Sequence, residues 1–171
     1  MGTVLTMLVV FLDFDGVLNR GYGPGCGPQV GHLNTITDRT GAVIVVHSSW
    51  RWARSVEQLR EILVSWGVTG QVLDKCPTPL NPRPTLDGFY VDTVDWDAWK
   101  GSIESSDERC IAIQKWLDEH PGQVERYVIF DDSSALGHFV GKPEFIQTHL
   151  IEGLTKAHAD QALKHLKGVT G

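Results

Sequence analysis

The stretch Val9-Val10-Phe11-Leu12-Asp13-Phe14-Asp15-Gly16-Val17-Leu18-Asn19 carries a continuous apolar run, Met7 to Leu12, into two carboxylates one residue apart and a glycine. A short apolar run that breaks into polar residues reads as a strand buried on both faces, and the pattern recurs twice. Ala42 to Val46 leads into His47, Ser48 and Ser49, and Val128, Ile129 and Phe130 lead into Asp131 and Asp132. Gln71 to Leu73 and Phe145 to Thr148 are weaker strands of the same kind. Helical spacing fills the intervals. Val56, Leu59, Ile62, Leu63 and Trp66 follow a Ser55-x-x-Gln58 capping box and stop at Gly67. Ile111, Ile113, Trp116 and Leu117 follow a second predicted box, Ser105-x-x-Glu108, and run to Pro121-Gly122. A shorter helix with Leu33 and Ile36 ends near Gly41, and a last one with Ala159, Ala162, Leu163 and Leu166 ends near Gly168. This alternation predicts an α/β fold, a mostly parallel sheet covered by helices on both faces.

At 171 residues the chain suits one domain, residues 1–171, without a large separate cap. It is 42% hydrophobic, and 15 Lys+Arg against 21 Asp+Glu give a net charge of -6. That composition excludes disorder and a broadly basic nucleic-acid clamp. The longest apolar runs are far too short to span a bilayer, and no basic segment precedes the first, so no membrane role is expected. Three cysteines, Cys26, Cys76 and Cys110, share no C-x-x-C spacing, which points away from disulfides and structural zinc and towards a reduced cytoplasm.

In open sheets of this kind ligands bind beyond the carboxyl ends of the strands. The residues there are Asp13 and Asp15, Ser48 and Ser49, and Asp131 and Asp132. Four carboxylates converging on one volume need a cation, and an all-oxygen donor set favours a hard ion such as Mg²⁺. A turn starting at Gly16 lets Asp13 and Asp15 address one substrate atom from different angles. His47 reads as a packed core residue rather than a metal ligand.

Together these residues resemble the haloacid dehalogenase-like (HAD) phosphohydrolases, whose first motif is an apolar strand followed by D-x-D-G. Val43 to Ser48 looks like the second family motif and Val128 to Asp132 like the fourth. Arg109, at the head of a helix, is the choice for the third-motif cation, with Lys100 and Lys75 as rivals. The resemblance spans nearly the whole chain and implies a three-layer Rossmann-like core. Ser48-Ser49-Trp50-Arg51, the Trp116-Leu117 helix and Gly153-Leu154-Thr155 further look like the phosphatase modules of bacterial and phage RNA-repair proteins. It implies that Asp13 attacks phosphorus and forms an aspartyl-phosphate, while Asp15 acts as acid and then base. Mg²⁺ is held by Asp13, the Asp15 carbonyl and Asp132, and Asp131 binds a metal-bound water or orients Arg109. Ser48, or alternatively Ser49, contacts a phosphoryl oxygen, and Arg109 supplies fixed positive charge. Gly16, Ser49 and Arg51 are the expected substrate-side residues.

Trp50 and Trp52 interleave with Arg51 and Arg54, a pattern that either stacks a base and grips a phosphate or packs a helix on the sheet. Nucleotides or phosphorylated nucleic-acid ends are therefore the expected substrates, with small metabolites or phosphoproteins as the alternative. About 30 residues from Pro77 to Ser106, rich in proline and then in Phe89, Tyr90, Val91 and acids, are too few for the larger caps of the family. They read as a hairpin or flap, with Trp96 and Trp99 as substrate contacts or packing. Little or no cap leaves the site open, to be covered by a bulky substrate or by a second copy of the chain in a homo-oligomer. Two rivals come from other classes. A receiver-like signalling domain would carry its acidic pair on the first strand, the reverse of the order here, and a non-catalytic Mg²⁺/phosphate-binding module would not need both Asp13 and Asp15.

Overall fold

The computed structural model describes residues 2–79, 95–105 and 107–169. The elements run β1 (Met7–Leu12), α1 (Gly27–Thr40), β2 (Val43–Val46), a 3-10 turn (Ser49–Ala53), α2 (Val56–Ser65), β3 (Val72–Lys75), α3 (Trp96–Lys100), α4 (Glu108–Asp118), β4 (Val124–Asp131), a second 3-10 turn (Gly137–Phe139), β5 (Phe145–Gln147) and α5 (Lys156–Leu166). The five strands form one sheet in the order β3-β2-β1-β4-β5, and every pairing is parallel. This is the three-layer α/β architecture expected from the alternation.

Period-two alternation along β1 explains the layers. Val10 and Leu12 join Leu33 and Ile36 of α1, Leu59 and Leu63 of α2, and Ala162 and Leu166 of α5 in one core cluster. Val9 and Phe11 face the other way, onto Cys110, Ile113 and Trp116 of α4. Both faces of β1 are thus covered, which is why the strand is apolar without interruption. Successive connections build outward from β1 to β2 and β3, then return to its other side for β4 and β5. Such a reversal opens a crevice at the carboxyl end of the central strand. Register completes the placement: Leu12 pairs with Val46 on one side and with Phe130 on the other. The next residues along, Asp13, His47 and Asp131, therefore emerge level with one another at the crevice.

Of the two predicted capping boxes, one changes. Ser55 and Gln58 do form a reciprocal capping box on α2, whereas Ser105 does not cap α4. The helix begins at Glu108, so the N-cap is Asp107, whose carboxylate accepts the Cys110 N–H at 2.9 Å. Ser105 Oγ instead accepts the Asp107 N–H at 3.1 Å, one step upstream. Glu108 is freed from the cap and pairs with Arg51. The Pro82, Pro84, Phe89, Tyr90 and Val91 portion of the expected flap lies outside the described residues. Trp96 and Trp99 meet edge to face at 5.9 Å. Trp99 packs against the α4-side core with the Lys115 ammonium 5.5 Å from its ring, so packing accounts for it.

Candidate active site

The turn after β1 fixes the two carboxylates differently. Asp13 is 5% exposed; one of its oxygens accepts the Phe14 N–H at 2.8 Å and the other lies 3.5 Å from Arg109 Nη1. A helical turn follows, with Leu18 N–H donating to the Phe14 carbonyl at 2.9 Å. It brings Asn19 back beneath Asp15, where Nδ2 donates to Asp15 Oδ1 at 2.8 Å and Oδ1 accepts the Gly16 N–H at 3.0 Å. Trp50 Nε1 donates to the other Asp15 oxygen at 3.1 Å. Thr148, just after β5, closes the turn by donating to the Gly16 carbonyl at 2.6 Å. Asp15 is thus oriented by two donors while still lining the pocket.

Gly16 has a spatial reason of its own. Its φ is 76°, and a Cβ there would lie 2.8 Å from Asp132 Cγ. Gly16 therefore lets Asp132 close onto the backbone beside Asp15, and the substrate-side role expected for it becomes one of spacing. Gly16→Ala is expected to displace Asp132 and to lower the phosphate release that the family resemblance implies on the order of 100-fold, the scale set by a misplacement of about 1 Å. Initial rates checked alongside thermal unfolding measure this, and wild-type rates in a folded variant contradict it.

Asp131 and Arg109 form the rigid part of the site. Asp131 is wholly buried and accepts from His47 Nε2 at 2.9 Å, from Arg109 Nη1 at 2.9–3.0 Å and from the Ser133 N–H at 2.8 Å. Those donors suit the orienting role for Asp131 better than metal ligation. Burial alone would raise its pKa, but the contacts to His47 and Arg109 outweigh that and hold it below the ordinary carboxylate value. Burial lowers the His47 pKa against the raising effect of Asp131; Nε2 faces the Asp131 carboxylate, and Nδ1 has no hydrogen-bond partner among the described residues. Arg109 sits among carboxylates that raise its pKa despite burial. Asp13 responds oppositely: burial first, then the Asp131 charge, push it up to about 8 against the lowering effect of Arg109. Asp132 is raised for the same two reasons.

The remaining expectations divide. Asp13, Asp15, Ser49, Arg109 and Asp132 line one pocket of about 330 Å³, together with Asp107, Glu108, Tyr22 and Leu150. Ser48 is fully buried, does not line the pocket, and accepts the Trp50 N–H at 3.3 Å. Arg51 is withdrawn from any substrate: it is fully buried, donates to the carbonyls of His47 at 2.7 Å and Cys76 at 3.2 Å, and pairs with Glu108. Lys75 donates to the carbonyls of Arg51 and Arg54, and neither it nor Lys100 lines the pocket. Trp50 packs edge to face with Phe14 and Trp66 under the Arg54 guanidinium at 4.8 Å. Its indole serves Asp15 and the core rather than a stacked base.

Sequence reasoning missed Asn19, Trp50 and Thr148 as supports of the turn, and His47 as the partner of Asp131. Asn19 had a readable signal, since it stands four residues after Asp15 and a turn begun at Gly16 brings positions i and i+4 together. Nothing local marks Thr148 or His47, because their partners are distant in sequence.

Among the described residues, the carboxylates of Asp13, Asp131 and Asp132 gather around the Arg109 guanidinium. Asp13, His47 and Asp131 bring ligand-type atoms within 4.8 Å of one another, but the His47 and Asp131 atoms are already bonded to each other. The excess of buried negative charge and the oxygen-only set left by Asp13 and Asp132 fit a hard divalent cation. No helix among the described residues is long and apolar enough to cross a membrane. Neither the curated proteins nor the solved structures give a match. Residues 9–159 match the family described as the HAD domain in Swiss Army Knife RNA repair proteins. That span covers all three strand ends of the site, and the chain belongs to this family of HAD domains.

Proposed function

We propose that the chain is a Mg²⁺-dependent phosphomonoester hydrolase acting through an aspartyl-phosphate on Asp13, with nucleotides or phosphorylated nucleic-acid ends as substrates. The convergence of Asp13, Asp15, Asp132 and Arg109 on one pocket at the switch point of the sheet carries the reading. In the first step an Asp13 oxygen forms a bond to phosphorus as the ester oxygen leaves with the proton of Asp15. In the second, Asp15 takes a proton from water as that water attacks the phosphorus, releasing phosphate and restoring Asp13. Arg109, held by Asp131, which His47 orients in turn, meets the equatorial oxygens, as does the hydroxyl of Ser48 or alternatively of Ser49, which lines the pocket. Asp13, Asp132 and the Asp15 carbonyl are the groups that would hold Mg²⁺, which supplies the charge needed to keep Asp13 ionised and to offset its repulsion from phosphate.

Phosphate release from p-nitrophenyl phosphate, with Mg²⁺ and after chelation, tests this. Chelation is expected to lower the rate at least 100-fold, and added Mg²⁺ to restore it. Equal rates in both conditions contradict the metal assignment.

A further inference from the structure

Beyond the catalytic groups, the pocket has a second kind of wall. Tyr22 and Leu150 both line it, and they are 85% and 41% exposed. The loops that carry them come from opposite ends of the sequence yet are stitched together. Arg20 Nε donates to the Ile151 carbonyl at 3.0 Å, the Leu154 N–H donates to the Val17 carbonyl at 2.8 Å, and Gln29 Nε2 donates to the Glu152 carbonyl at 2.8 Å. Gly153 lies so close that a Cβ there would meet the Val17 carbonyl oxygen at 2.8 Å. Asn19 ties the Tyr22 loop to the chemistry by donating to both the Gly23 carbonyl and Asp15. The loop backbones that carry an exposed phenol ring and an exposed isobutyl group are therefore tied to one another and to the residue proposed to protonate the leaving group.

The charge around them restricts what they can receive. Among the described residues lining the pocket, five carry carboxylates (Asp13, Asp15, Asp107, Glu108 and Asp132) and Arg109 is the cation. A second phosphate joined directly to the scissile one, as in a nucleoside di- or triphosphate, meets repulsion there, whereas a flat uncharged ring meets apolar surface. Resting on the phosphatase reading above, we infer that Tyr22 and Leu150 form a clamp for the nucleobase of a substrate carrying a single terminal phosphate. The base comes from a free nucleoside monophosphate or from the end of an oligonucleotide. Tyr22 is the specificity-determining residue, because an aromatic face accepts any base by stacking.

The experiment compares kcat/KM for nucleoside 3′- and 5′-monophosphates and an end-phosphorylated oligonucleotide with that for ring-free glycerol phosphate, in wild type, Tyr22→Ala and Tyr22→Trp. The ratio of ring to ring-free substrate is expected to fall about tenfold in Tyr22→Ala, through KM rather than kcat, and to recover in Tyr22→Trp. That outcome in the mononucleotide or the oligonucleotide arm supports the clamp, and the arm with the larger ratio identifies the source of the base. An unchanged ratio in Tyr22→Ala overturns the clamp even when Asp13-dependent turnover persists. If wild type releases phosphate from no ester, the phosphatase reading fails, and binding decides the clamp. Nucleoside monophosphate binding weakened about tenfold by Tyr22→Ala relative to inorganic phosphate supports it, and parallel or absent weakening overturns it.

Discussion

Asp13→Asn is expected to abolish phosphate release, lowering kcat by on the order of 10⁴-fold or more, because an amide cannot form the acyl-phosphate and the remaining groups act only with the nucleophile in place. The change is nearly isosteric, and Asp13 is buried against Asp131 and Arg109, so the fold should survive. Stability should in fact move the other way in chelator-treated protein. The Asp13 carboxyl titrates near an ordinary 3.8 in the unfolded chain and is pushed up to about 8 in the folded one by burial and by Asp131. A raised acid binds its proton more tightly when folded, so its favourable contribution is complete below the unfolded value and is lost as pH rises to the folded one. Asp13→Asn removes that loss. Its melting temperature is expected to exceed that of wild type at pH 8 and to converge with it towards pH 4. A variant that is inactive and also less stable at pH 8 contradicts the picture of Asp13 as a buried charge awaiting a counter-ion.

Arg51→Ala carries the largest expected effect on folding. The wild-type guanidinium is wholly buried and joins three segments: the His47 and Ser48 carbonyls after β2, the Cys76 carbonyl after β3, and Glu108 at the start of α4. Removing it leaves a largely buried carboxylate and several carbonyls without their donor. Breaking one side of a buried pair costs about 3–5 kcal/mol, and the lower end applies here because the Glu108 side chain is 22% exposed. A loss of about 3 kcal/mol corresponds to a melting temperature lower by roughly 6–12 °C for a chain of this size. Arg51→Lys should recover little, since one ammonium cannot reproduce the planar fork that reaches all three segments. A thermal scan in which Arg51→Ala melts within a degree or two of wild type contradicts this account.

These two residues show where sequence was informative. Asp13 was legible because its signal is local: an apolar strand that must end, two acids and a glycine. Parallel register then carried Asp131 and Asp132 to the same place, and the family resemblance, rather than periodicity, singled out Arg109 at the head of α4. Arg51 was misread because charge next to tryptophan looks the same in sequence whether it faces solvent or the core. Only the approach of α4 to the end of β2 decides between them, and that contact spans 57 residues. The Ser105 box failed for a smaller reason, a helix starting two residues later than expected, so that Asp107 took the cap. His47 and Thr148 depend wholly on partners 84 and 132 positions away.

The covalent role of Asp13 is best tested in Asp15→Asn with p-nitrophenyl phosphate. Nitrophenolate leaves without being protonated, so the first step proceeds, while the second lacks its base and the acyl-phosphate accumulates. Acid quenching followed by borohydride reduction converts an aspartyl-phosphate to homoserine, which peptide mass spectrometry locates. The account predicts homoserine at position 13, dependent on both substrate and Mg²⁺. An unmodified position 13, or homoserine at another carboxylate, contradicts it.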